Sequence, residues 1–358
     1  MNFSLPSRRT LLRLAETMAL GTAGGAVLGL AGLPAGWLSG SIIVVAIAAV
    51  LGRPVVVPPP LAKILFTTVG ISLGAAVTPE SLQGIGKWPL STLALCFAMF
   101  AVSASVTVYL HVVHGWKWIA ALFASSPGAL SQTLVLALEY KCDVRAVAVV
   151  QTVRVVAIAA GLPLVLAAFG LTAPTPVTVA PAITSWLEVL VLVVISTASA
   201  ILAYKIRFPG GLIVGAMIAS GALHGSGLIH TGLPTWIAIA CFVGLGALTG
   251  SRFAGTEWRR LLELAGAAVG AIVVGTAVSS CLGVLVAALL ALDARDLVIA
   301  YAPGGLEAMI ILSLALHLDT AFVGAHHLVR FVFVSFALPL GARLLGGRPP
   351  PRTPAPPR

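Results

Sequence analysis

Residues 301–309 read Tyr301-Ala302-Pro303-Gly304-Gly305-Leu306-Glu307-Ala308-Met309, in the middle of an apolar run that otherwise has the composition of a membrane helix. Proline removes a backbone N–H and clashes with the preceding turn, and glycine adds freedom. The stretch therefore interrupts a helix and sets a carboxylate, Glu307, beside the interruption. At membrane depth such a break frees N–H and C=O groups, which hydrocarbon does not satisfy. It is tolerated only where protein or water supplies partners.

The rest of the chain supports the membrane setting. Of 358 residues, 59% are apolar and 9% charged, against about 25% charged in soluble domains. Too little charge is present to cover the chain with a solvated surface, so the lipid bilayer is its first partner. The net charge of +10 lies in ones and twos between apolar runs, which excludes a nucleic-acid stripe and fits loop orientation. Four scattered cysteines show no ligand spacing. His111 and His114 have an i,i+3 spacing but sit beside Trp116, Lys117 and Trp118, as an interfacial belt does. No metal or other cofactor is expected, and no enzymatic activity. The stretch from Ser7 to Leu12 resembles an export signal, but Arg8, Arg9 and Arg13 read better as the cytoplasmic flank of a first span.

Apolar segments fall at 14–32, 36–51, 61–78, 89–113, 117–140, 144–170, 184–204, 208–227, 234–252, 260–291, 297–318 and 321–345. The expected fold is all-α and integral to the membrane, with about 10–12 spans in two homologous repeats, each holding a Pro-Gly-broken helix. The boundaries are a basic tail at 1–13, repeat 1 at 14–170, a Pro/Thr-rich linker at 171–183, repeat 2 at 184–345 and a disordered Pro/Arg-rich tail at 346–358. Pro34, Gly36 and Gly40 recur as Pro209, Gly211 and Gly215. Pro127-Gly128 recurs as Pro303-Gly304. Asp143, Arg154 and Pro163 recur as Asp319, Arg330 and Pro339. Charge bias between the loops is weak, and basic residues in the second half hint at an inverted repeat, which would need an odd number of crossings per half.

Paired interrupted helices in matching places point to a transport site. In the first half the candidate substrate-binding residues are Pro127, Gly128, Ser131, Gln132 and Arg154. In the second half they are Pro303, Gly304, Gly305, Glu307, His327 and Arg330. Each arginine lies eleven residues past its aspartate, roughly 16 Å along a helix, near the bilayer middle. There it costs about 3 kcal/mol or more unless it faces an interior. Two readings stand. In one, Arg330 pairs with Glu307 as a structural ion pair and Arg154 snorkels. In the other, two arginines and two half-helix N-termini form a cationic pocket for a small anionic or polar solute, with Glu307 as the titratable member of a proton-coupled switch. Of His326 and His327, adjacent on a helix, at most one joins the site.

The stretches "LPAGWLSGSIIVV", "TVGISLGAAVTPESL", "SPGALSQ", "FPGGLIVGAMIASG" and "APGGLEAMIILSLALHLDTAFVGAHHLVRFV" resemble the bacterial membrane AbrB family, whose members carry a duplicated domain and are often labelled ammonia monooxygenases or AbrB-type regulators. The resemblance implies a multi-pass inner-membrane protein laid out like crossed-helix secondary transporters, in which a homo-oligomer is one arrangement. It leaves two functions open: secondary transport, or a part in regulating gene expression without transport. The monooxygenase label fits poorly, because oxygen activation needs clustered ligands.

Overall fold

A computed structural model describes residues 7–33, 35–75, 88–127, 130–168, 185–208 and 210–345, with the side chains of Leu130, Ser131 and Glu307 also outside the described set. The described residues form fourteen α-helices, one short 3-10 turn and no strand. In chain order the helices are α1 (Arg8–Leu30), α2 (Gly36–Val50), α3 (Pro59–Ala75), α4 (Trp88–His114), α5 (Trp118–Ser125), α6 (Leu130–Glu139) and α7 (Val144–Ala168). Then come α8 (Trp186–Lys205), α9 (Gly211–Gly225), α10 (Thr235–Gly250), α11 (Trp258–Leu290), α12 (Ala294–Tyr301), α13 (Leu306–Ala315) and α14 (Thr320–Leu344).

Seven of the helical stretches are long and apolar enough to cross a membrane: α1, α4, α7, α8, α10 with its 3-10 extension, α11 and α14. Helices α2, α3 and α9 are shorter and apolar. The segment expected at 117–140 is divided into α5 and α6, and the one at 297–318 into α12 and α13. The long run expected at 260–291 is one 33-residue helix, α11. Helix α1 starts at Arg8 with Ser7 accepting from the Thr10 amide, so the basic residues expected in a tail form its first turns. At the other end of the fold, Asp293 caps α12 by accepting from the Arg295 amide at 2.8 Å. The Arg295 guanidinium also bonds its carboxyl and holds it below the usual carboxylate range.

Small residues bring the helices together. A Cβ at Gly70 or Gly74 of α3 would collide with the carbonyls of Ile213 or Met217 on α9, and one at Gly246 or Gly250 of α10 with those of Leu38 or Ile42 on α2. Close backbone approach of this kind is how helices associate where no solvent drives them together. The two sets of contacts are numbered 175 or 176 apart. So are the left-handed turn residues: Gly32 with Arg207, Ala35 with Gly210, Gly52 with Gly227, Gly115 with Ala291, and Lys141 with His317. Five of these ten are not glycine, although L-residues resist this conformation. Gly255 is left-handed as well and stands outside these pairs.

Helices α4 and α11 pack against each other, and both broken segments lie inside this frame: α5 on α4, and α12 on α11. The core runs through Leu95, Met99, Phe123, Tyr301, Met309 and Leu312, all buried. Large apolar residues such as Phe97, Phe100, Leu190, Val273 and Phe336 point outward, as lipid-facing surfaces do.

Candidate functional site

The two breaks share one backbone construction. Helix α5 ends at Ser125 and Ser126 is extended (φ −62°, ψ 120°). Helix α12 ends at Tyr301 and Ala302 is extended (φ −54°, ψ 132°). Stopping a helix leaves its last carbonyls without donors and concentrates the negative end of its dipole there.

An arginine answers each of these ends. On α7, Arg154 Nη1 donates to the carbonyls of Ala124 (3.3 Å) and Ser125 (2.9 Å), and Nη2 to that of Ser126 (2.7 Å). On α14, Arg330 Nη1 donates to the Ala302 carbonyl and Nη2 to the Gly304 carbonyl at 2.7 Å. The two arginines are 2% and 1% exposed. Arg154 is therefore not snorkelling to an interface. The described partners of Arg330 are carbonyls, where the sequence pointed to Glu307; Glu307 lies in the first turn of α13 and its side chain is outside the described residues. On each guanidinium, Nε is buried and without a partner among the described residues.

The remaining predicted residues divide. Pro127 is buried at the first break, while Gly128 and the side chain of Ser131 lie outside the described residues. Gln132 points across to the second half, with Nε2 donating to the Ser335 carbonyl on α14 at 3.0 Å. Pro303 lies near Gly275 of α11, and Gly304 against the Met309 thioether, which a Cβ there would displace. Gly305 is the N-cap of α13.

The two histidines also part company. His326 is fully committed: Nδ1 donates to the Phe322 carbonyl and Nε2 meets Ser91 Oγ, both at 2.8 Å, while Tyr301 donates its hydroxyl to the Ser91 carbonyl. His327 is 0% exposed, and neither ring nitrogen makes a hydrogen bond of good geometry among the described residues. Its ring faces the Ile299 carbonyl. In the first half Gln151 holds the matching place and donates Nε2 to the Phe123 carbonyl at 2.6 Å.

The breaks are neighbours. Helix α13 packs on α7 and α6 on α14, so each resumed half-helix lies against the arginine helix of the other half. The two guanidiniums are within electrostatic reach of each other. A cavity of about 300 Å³ between α4, α5 and α14 reaches buried Ser126 and is walled mostly by apolar side chains such as Phe333 and Leu338, with Ser103 and Thr107 among them.

The sequence did not reveal the carbonyl partners of the arginines, though a signal existed: Arg154 follows Ser126, and Arg330 follows Ala302, by the same interval. A metal implied by the monooxygenase label finds no fit. Among the described residues, no three His, Cys, Asp or Glu side chains come together as a ligand set.

Residues 37–346 match the model of the family described as "Transition state regulatory protein AbrB". Over 360 aligned residues the chain is 27% identical to the Bacillus subtilis (strain 168) protein named "Uncharacterized protein YhjN", covering 92% of each. It is 24% identical over 323 residues to the Escherichia coli (strain K12) protein named "Putative regulator AbrB", covering 82% of this chain and 90% of that one.

Proposed function

The chain belongs to the AbrB family, and from that premise we propose that it is a multi-pass inner-membrane secondary transporter for a small anionic solute, built as two repeats of seven helices. The observation that carries the reading is the meeting of two arginine-capped helix breaks in the buried middle of an apolar helical protein. Discontinuous helices in matching halves are the usual location of substrate in such proteins.

The repeat is supported by the matched series α1–α7 and α8–α14, the paired left-handed turns and the reciprocal glycine–carbonyl contacts. The reciprocal packing of α3 on α9 and α2 on α10 fits a two-fold relation, and an inverted one fits the family of layouts that move solutes by alternating access.

Charge bookkeeping favours an anion. Two guanidiniums contribute +2, two helix C-termini about −1 and the N-termini of α6 and α13 about +1. An ionised Glu307 lowers the sum to about +1, which suits a monovalent anion. The arginines themselves are mostly occupied by carbonyls. Solute binding therefore falls to the helix N-termini and the two Nε–H groups that have no partner among the described residues, and the arginines keep the breaks positive.

The test is reconstitution in liposomes with labelled lactate, succinate, phosphate and sulfate, read as counterflow. Uptake of one of these above protein-free vesicles, lost in Arg330→Ala and reduced in Glu307→Gln, is expected. No uptake of any would remove the transporter reading. A second reading, regulation of gene expression without transport, rests on the printed names of the family and of its Escherichia coli relative; it would be favoured if transport-dead variants kept a transcriptional effect.

A further inference from the structure

We propose that His327 is the proton-carrying residue of the site, taking up one proton with each monovalent anion, so that the second break couples transport to protons and the first does not. The inference rests on the transporter reading and names the coupling ion of the same site.

The argument starts from a mismatch between two otherwise matched breaks. Arg154 and Arg330 make the same kind of carbonyl cap 176 positions apart. Three residues before each stands the side chain that faces the carbonyl of Phe123 or of Ile299, also 176 apart. In the first half it is Gln151, whose amide donates at 2.6 Å. A glutamine is permanently neutral and satisfied there. In the second half it is His327, fully buried, with its ring toward the Ile299 carbonyl and no hydrogen bond of good geometry from either nitrogen among the described residues. A buried titratable ring held by no more than one poorly aligned carbonyl calls for an explanation. His326 next to it shows that this helix can satisfy an imidazole when only structure is at stake.

The surrounding charges decide when a proton can stay. Arg330 lies one turn further on and Arg154 on α7 is within electrostatic reach of it; Glu307 belongs to the first turn of α13. Of the other titratable groups on the packed elements, Tyr301 is engaged with Ser91, Lys63 of α3 lies over the Tyr204 ring, Arg295 pairs with Asp293 and Asp296 accepts from the Asp319 amide, while Cys96 of α4 is a free thiol. In the empty site the guanidiniums oppose a third positive charge. An anion at the break cancels one of them and supplies the acceptor that an imidazolium N–H needs. Neutral His327, a proton and the anion thus become an imidazolium–anion pair, and both leave together on the other side. Empty and doubly loaded sites carry the same net charge, so the moving site meets no electrical barrier that differs between its two passages. An anion alone would change that charge by one.

Proteoliposomes containing the full chain and internal pyranine, given the same four labelled anions, test this. In wild type, anion uptake acidifies the lumen, and an inward proton gradient of one pH unit raises accumulation toward tenfold, the equivalent of one decade in an equilibrium. In His327→Gln, which installs the residue of the first half, anion uptake is weaker because the imidazolium contact is gone, the ratio of accumulation with and without the gradient falls to about one, and the remaining uptake responds to a potassium–valinomycin potential. Wild-type anion uptake without proton uptake overturns the proposal, as does a tenfold ratio surviving in His327→Gln. A folded His327→Gln protein that carries no anion also overturns it, because glutamine fills this place in the other half. If wild type carries none of the four anions, the transporter reading itself fails.

Discussion

Replacing Arg154 with methionine keeps much of the side chain's length and removes its donors. Three carbonyls, those of Ala124, Ser125 and Ser126, then lose their partner. A buried acceptor left unsatisfied costs about 1–3 kcal/mol, so the gross loss is about 3–9 kcal/mol. Removing a buried charge returns part of its desolvation cost, and the 3.3 Å bond to Ala124 is the weakest of the three. We expect a net loss of about 2–5 kcal/mol. The same change at Arg330 orphans the carbonyls of Ala302 and Gly304 and should cost less by about one carbonyl, about 1–3 kcal/mol. At about 1–2 °C per kcal/mol, extending the size trend of soluble domains to this length, Arg154→Met lowers the melting temperature by roughly 3 °C or more and by more than Arg330→Met. Arg154→Lys falls between, since one ammonium cannot span three acceptors as a planar fork does. The assay is thermal unfolding in detergent with a thiol-reactive dye, whose late phase reports buried Cys241. If both methionine variants melt within 1 °C of wild type, the arginines do not cap the breaks and the charge argument built on them fails.

Gly70→Val forces a side chain into the Ile213 carbonyl, and Gly246→Val into that of Leu38; each should cost about 1–3 kcal/mol by overpacking, and similar melting shifts for the two would bear out the reciprocal contact. At the turn shared by Gly115 (φ 67°) and Ala291 (φ 50°), Gly115→Ala should destabilise by about 1 kcal/mol while Ala291→Gly is neutral or stabilising, a contrast read from the same melting curves.

Much of this architecture can be read before any coordinates. The proline and glycine pairs locate both breaks, because no other residues interrupt a helix so strongly. The apolar run at 89–113 becomes α4 within a residue at each end, since lipid-facing helices keep their composition to their tips. What cannot be read is which groups the arginines meet. Pattern reading looks for a side chain of opposite charge, and Glu307 was the available one. The acceptors used are backbone carbonyls, which every residue possesses and which become acceptors only because Pro127 and Pro303 end the helices where they do. The left-handed turns at Lys141 and His317 were hidden for a related reason: a glycine would have announced them, but the strain is carried by residues with no such preference.

On the proposed transporter reading, the carbonyl caps also limit what a solute must do. If the freed carbonyls waited for a ligand to satisfy them, the empty protein would be strained and the solute would have to supply donors. Here the protein supplies its own donors, from two buried arginines. Among the described residues, what stays without a partner is mostly donor: two Nε–H groups, the Ser126 hydroxyl and the His327 ring, which has one acceptor nitrogen when neutral, with the first amides of α6 and α13. A site with more unmet donors than acceptors favours a solute that accepts more than it donates, and a deprotonated acid does so better than an amide, an alcohol or an ammonium ion. An alcohol or amide of equal size must bury its own donor opposite these N–H groups, at about 1–3 kcal/mol, so counterflow of a carboxylate should exceed that of its amide by about ten- to hundredfold.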